Sequence, residues 1–293
     1  MRSRPWEQSL IEVGDVRINT NVCGSGPPVL LLHGYPQTHL MWDDVAEALS
    51  DSRTVVATDL RGYGDSDKPP GDPEHVRHSK RAMATDQVAV MEELGYDSFA
   101  LIGHDRGARV AHRLAIDHPD RVRRLAVIDI APTHEMFTTA DLEFGMAYYH
   151  WFFLAQPADF PERLIGADPG YFVRSQLDRW SAPGFAFDEE VLAEYVRCFS
   201  DPAAIHASCE DYRAAATIDL AHDEADLADR LPMPVLCLWG EKGFVGSRYD
   251  VVRSWERRAA DVTGAVIPSG HFVPEEAPEA TARALSDFAR GEG

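Results

Sequence analysis

The pentapeptide Gly103-His104-Asp105-Arg106-Gly107 carries a central carboxylate with a glycine at each end. An apolar strand, Phe99-Ala-Leu-Ile102, precedes it, and a helical stretch from Ala108 to Ala115 follows. That context predicts a nucleophile elbow, in which the glycines let the backbone bend sharply and lift the central side chain to the head of a sheet. Aspartate in that position, instead of serine, decides the chemistry. A carboxylate attacking an amide or ester carbonyl would return a labile anhydride, whereas attack on a saturated carbon bearing a leaving group gives an ordinary ester. The ester then needs an activated water. Ser269-Gly270-His271-Phe272 follows the last predicted strand, which makes His271 the candidate base. An acid to orient it should lie at a strand end, and Asp129, Glu241 and Asp250 all qualify; spacing leaves that choice open.

These groups need a frame, and the chain alternates strands with helices. Pro28–His33 is a short apolar run of the kind buried in a parallel sheet, and Thr54–Thr58, Leu125–Ile128, Val235–Trp239 and Gly264–Ile267 read likewise. Helical spacing covers Asp43–Leu49, Ser79–Leu94 (closed by Gly95) and about Glu275–Phe288. The pattern predicts a mostly parallel, doubly wound α/β sheet. The stretch 134–229 differs in kind: it holds 19 acids, five arginines, no lysine and 16 of the 28 aromatics, with helical spacing throughout. An aromatic-rich, acid-faced helical insert between two halves of a sheet suggests a cap over a pocket, with most of the aromatics forming the insert's own core.

Composition narrows the function. The 293 residues suit one large domain or two modest ones, and 45% hydrophobic with 26% charged residues is ordinary globular composition. Acids outnumber bases 48 to 28, for a net charge of -20, which disfavours nucleic-acid and membrane-surface roles. Lys68, Lys80 and Lys242 are the only lysines; the other 25 bases are arginines. Four scattered cysteines without ligand spacing, and an N-terminal MRSRPWEQSL without an apolar leader, predict reduced thiols in a cytoplasmic protein.

Residues 28–135 and 230–290 resemble the α/β-hydrolase superfamily, in its haloalkane dehalogenase and epoxide hydrolase branch. Nearly the whole chain is similar to the haloacetate (fluoroacetate) dehalogenases. The stretches that carry the likeness are LLLHGYPQTHLMW, DLRGYGDSDKP, GHDRGARV, AVIDIAPT, YHWFFLAQP, CEDYRA and SGHFVPEEAP. The resemblance implies an α/β-hydrolase fold, with a core of 1–133 and 230–293 and a helical cap of 134–229 inserted after the strand that follows the elbow helix. It implies Asp129 as the acid, in the order nucleophile, acid, histidine. It also implies backbone amides of Tyr35 and Arg106 as the oxyanion hole, a halide pocket of His150, Trp151 and Tyr212, and Trp180 as pocket lining. Where haloalkane dehalogenases typically carry tryptophan after the nucleophile, this chain has Arg106, with Arg109 one turn along the same helix face. Two guanidiniums there could clamp a substrate carboxylate in planar fashion and neutralise its repulsion from Asp105. Arg113, a further turn along, falls outside that pair and reads as structural.

The expected reaction is hydrolytic dehalogenation of a small haloacid through an aspartyl ester, with water as co-substrate and no cofactor or metal. A homodimer follows from the resemblance alone. The alternative is an epoxide hydrolase with the same triad and paired phenols from Tyr212 and Tyr148 or Tyr149, which leaves the arginine pair idle. A non-catalytic binding protein on the same scaffold would have no need of His271.

Overall fold

The computed structural model describes residues 6–291, so residues 1–5 of the N-terminal stretch read above, and the last two residues, lie outside the described residues. Eight strands form one sheet: β1 (Glu7–Val13), β2 (Val16–Gly24), β3 (Pro28–Leu32), β4 (Thr54–Thr58), β5 (Phe99–His104), β6 (Val122–Ile128), β7 (Val235–Gly240) and β8 (Val262–Ile267). Their spatial order is β1-β2-β4-β3-β5-β6-β7-β8, parallel from β4 onward and antiparallel for the pairs β1–β2 and β2–β4.

The central strands are apolar on both faces because helices cover both. In β3, Val29 and Leu31 pack with α1 (Asp43–Ser50) and the C-terminal helix, while Leu30 and Leu32 face α2 (Lys80–Glu93) and α3 (Arg106–Asp117). The hairpin β1–β2 buries Ile11, Val13, Val16 and Ile18 on one face, against Val90 of α2. On its other face the second strand buries Asn19 and Asn21, and Asn19 Nδ2 donates to Asp59 at 2.8 Å.

The elbow helix starts two residues before the predicted Ala108, because Gly107 is helical. A Cβ there would lie 2.4 Å from the carbonyl oxygens of Leu32 and His33, so glycine permits the close approach of α3 to β3.

Between β6 and β7 the chain builds eight helices: α4 (Thr133–Thr138), α5 (Leu142–Ala147), α6 (Tyr149–Leu154), α7 (Phe160–Ala167), α8 (Pro169–Trp180), α9 (Glu189–Phe199), α10 (Pro202–Ala216) and α11 (Ile218–Ala225). Eleven of the insert's acids are exposed, but Glu210, Asp211, Asp219 and Asp223 are buried and paired, which the picture of an acid-faced exterior did not anticipate. After β7 come α12 (Phe244–Arg248) and α13 (Val251–Glu256). The single helix expected from Glu275 is two, α14 (Val273–Glu276) and α15 (Pro278–Arg290), because Pro278 lacks the amide to continue the first and opens the second. The four cysteines are free and buried. Among the described residues no helix is long and apolar enough to cross a membrane.

The strand order sets up the site. β3 pairs with β4 on one side and β5 on the other, and the direction of winding reverses there. The chain leaves the carboxyl ends of β3, β5, β6 and β8 at Tyr35, Asp105, Asp129 and His271, the position where open α/β sheets bind ligands.

Candidate active site

β5 ends at His104 and α3 begins at Arg106, leaving Asp105 alone between them at φ 46°, ψ -115°. That conformation is costly for a residue with a Cβ and persists because strand and helix fix both ends. Gly34 passes beneath: a Cβ on it would sit 2.6 Å from His104 Nδ1 and 2.8 Å from Asp105 Cβ. The close turn brings the Tyr35 amide to Asp105 Oδ1, donating at 3.0 Å. The Arg106 amide opens α3 and is one of the donors a helix start leaves without an intrahelical acceptor. Burial pushes the Asp105 carboxyl up, but the charge of His271, with Arg109 and Arg106 behind it, outweighs burial and holds it at about 2. Asp105 is therefore ionised.

His271 Nδ1 lies 2.6 Å from Asp129 Oδ2, and the Gly240 amide donates to Asp129 Oδ1 at 3.1 Å. Asp129 also sits at positive φ, 52°. Burial lowers the pKa of the His271 ring, and the bond to Asp129 more than reverses that, so the net shift is upward. Of the other acids considered, Glu241 is exposed beside Lys242, 3.9 Å away, and Asp250 caps α13 by accepting from the Arg253 amide. His104, buried and held neutral at about 3, donates from Nε2 to the His271 carbonyl at 2.7 Å and so pins the loop that carries the base.

The remaining predicted residues form a connected shell. Ring centroids step from His271 to Trp180 (5.7 Å), Trp180 to His150 (4.4 Å) and His150 to Tyr212 (5.6 Å). The Arg106 guanidinium lies 4.1 Å over the Tyr212 ring, and that of Arg109 lies 4.7 Å over Trp151. Within the shell, Arg106 Nη1, Arg109 Nε, His150 Nδ1, Trp180 Nε1 and the hydroxyls of Tyr35 and Tyr212 are buried without a partner among the described residues. Buried polar atoms are rarely left so, and a cluster of donors around an ionised carboxylate fits an anionic ligand. His150 is kept neutral by burial. Tyr148 is buried against Trp180 and Phe244, whereas the Tyr149 hydroxyl accepts from Gln176 Nε2.

The pairing around the two arginines has no counterpart in local sequence. Arg106 is not a free clamp: Nε and Nη2 donate to the two Asp211 oxygens at 2.9 and 2.6 Å, and Nη2 also to the Asp211 carbonyl. Asp211, adjacent to Tyr212 on α10, further accepts from the Tyr63 hydroxyl at 2.7 Å and from Lys80. Arg109, by contrast, donates to neutral acceptors, the Ala131 carbonyl, Thr133 Oγ1 and Met136 Sδ. Arg113 pairs with Asp117, Asp223 and Asp226, away from the pocket. A cleft of about 380 Å³, lined by Tyr148, Arg179, Trp180, Lys242 and Phe244, leads from the surface to His271.

Residues 27–278 match the family model described as alpha/beta hydrolase fold. The chain is 49% identical to a fluoroacetate dehalogenase from a Burkholderia species, covering 97% of this chain and 93% of that one. It is 36% identical to a soluble epoxide hydrolase from a Corynebacterium species, over 91% of each. A crystal structure of a Nostoc protein assigned to the alpha/beta hydrolases superposes with a TM-score of 0.95 at 59% identity, covering 97% of both chains.

Proposed function

Because the chain belongs to the alpha/beta hydrolase fold family, in its haloacetate dehalogenase branch, we propose that this hydrolase cleaves the carbon–halide bond of a small haloacid. The observation that carries the proposal is the shell of buried, unpartnered donors, two of them on arginines, around the ionised Asp105. In this reading the arginines hold the substrate carboxylate, so that its α-carbon faces Asp105 with the halide pointing away. Oδ1 is engaged by the Tyr35 amide, which leaves Oδ2 as the attacking oxygen. The new carbon–oxygen bond forms as the carbon–halide bond breaks, and the halide departs with the electron pair toward His150, Trp151 and Tyr212. Fluoride leaves reluctantly, and donors to an ionic acceptor are worth about 1.5–3 kcal/mol each.

His271, oriented by Asp129, then takes a proton from water, and the hydroxide attacks the ester carbonyl carbon of Asp105. The Tyr35 and Arg106 amides hold the tetrahedral oxyanion. Its collapse expels the hydroxyacid, whose alkoxide takes the proton from His271, and the remaining carboxyl proton of Asp105 is lost to solvent, which restores the carboxylate.

Similarity to an epoxide hydrolase, with the buried Tyr148 and Tyr212 phenols near the nucleophile, supports a second reading on the same triad. Incubation with fluoroacetate, chloroacetate and styrene oxide side by side separates the two. Halide release from the acids without diol formation is expected. Diol from the epoxide with no halide from either acid would overturn the proposal.

A further inference from the structure

Arg106 already has a carboxylate of its own, a problem for a site meant to receive an anion. Asp211 takes both Nε and Nη2, and a guanidinium so paired presents little net charge to a ligand. The pair is fully buried, so water does little to screen it.

Lys80 changes that balance. It is one of only three lysines in the chain, and its ammonium contacts Asp211 and lies 3.4 Å from Asp219 Oδ2. It occupies the first position of α2, the positive end of the helix dipole, where a cation is disfavoured, and only 4% of it is exposed. Nothing local explains a buried lysine there; the acids of the insert do. Lys80 and Arg106 together carry two positive charges against the two negative charges of Asp211 and Asp219. The cluster is neutral only while Lys80 is in it. Without Lys80, a net negative charge would sit directly behind Arg106 Nη1, which is buried and has no partner among the described residues.

We propose that Lys80 is a positioning residue for carboxylate recognition, which by neutralising Asp211 keeps the Arg106 guanidinium available to an anionic substrate. The inference deepens the haloacid reading and rests on it for the identity of the anion. Lys80 sits on the sheet domain and Asp211 on α10, beside Tyr212. The insert's docking therefore sets the charge state of the carboxylate site and places a halide donor in one step.

The test uses equilibrium binding of acetate and its neutral isostere acetamide, read by calorimetry or ligand-detected NMR. Wild type is expected to prefer acetate. In Lys80→Met, acetate binding should weaken by about tenfold or more while acetamide changes by less than about twofold. Lys80→Met/Asp211→Asn restores neutrality, and Arg106 keeps the carbonyl contacts of residue 211. It should recover acetate affinity to within about threefold of wild type. Asp211→Asn alone retains both cations and should bind acetate at least as tightly as wild type, which keeps the proposal testable if Lys80→Met fails to fold. Equal losses for acetate and acetamide in Lys80→Met, no recovery in the double variant, or weakened acetate binding in Asp211→Asn would each overturn it. Halide release by wild type is measured separately. Acetate preference without halide release would sink the dehalogenase reading and leave this inference standing.

Discussion

A carboxylate and an imidazole divide the two proposed half-reactions, so His271 is where they can be separated. Asp105 needs no base to displace a halide, whereas ester hydrolysis needs His271. His271→Asn should release about one equivalent of halide and retain the acid as an ester on Asp105, a mass gain visible by intact-protein mass spectrometry; an unmodified protein after halide release would mean direct attack by water. The same residue sets the pH profile. His271 acts only when neutral, and the bond to Asp129 raises its pKa above the ordinary imidazole value. The rate of ester hydrolysis should therefore fall as pH drops, with an inflection above about 6.5, and Asp129→Asn should move that inflection to lower pH as well as slowing the step. An inflection that stays put in Asp129→Asn would show that Asp129 does not tune the base. At this scale the candidate site was legible where its residues follow local pattern: glycines flanking Asp105, a glycine before His271, arginines one turn apart. Asp211 and Lys80 left no such trace, because they are 131 positions apart and meet only when the insert docks.

Elements place those side chains, and the tightest tolerance lies where α3 meets β3. A methyl group on Gly107 would strike two backbone carbonyls at 2.4 Å, and neither can turn aside as a side-chain end could. Gly107→Ala should lose about 1–3 kcal/mol of stability, or more, in denaturant unfolding. Because the displaced carbonyls lead directly into the turn carrying Tyr35, ester hydrolysis should slow in the molecules that do fold. A variant with wild-type stability would mean the helix can shift without cost. The same contact explains an error in reading: a glycine looks like a helix breaker in sequence, and its value here is close approach to another strand. Strands buried on both faces were legible because an unbroken apolar run has few other uses. The β1–β2 hairpin was not, because Asn19 and Asn21 are buried on the face opposite Val16 and Ile18, and a buried asparagine is legible only through the distant residues whose hydrogen bonds satisfy it.

The whole molecule carries a charge of -20, and the proposed substrate is an anion. Distance and burial reconcile the two. Eleven of the insert's acids face solvent, where a Debye length of about 10 Å at 0.1 M salt confines their influence. The insert's buried Asp211 and Asp219 are matched by Arg106 and Lys80, and among the described residues Arg109 has no carboxylate bonded to it. Burial lowers the Arg109 pKa from its usual value, the cost of holding a desolvated cation that a substrate carboxylate would relieve. Affinity for the haloacid should accordingly come from charges within the pocket, which mobile ions scarcely reach. Raising ionic strength from about 0.05 to about 0.5 M with sodium sulfate, which avoids halide competing for the leaving-group site, should change KM for chloroacetate by less than about threefold. A KM that falls steeply with salt would show that the acidic exterior repels substrate at working range. One that rises steeply would assign recruitment to exposed cations at the cleft mouth, Arg179 and Lys242, instead of to the buried pair.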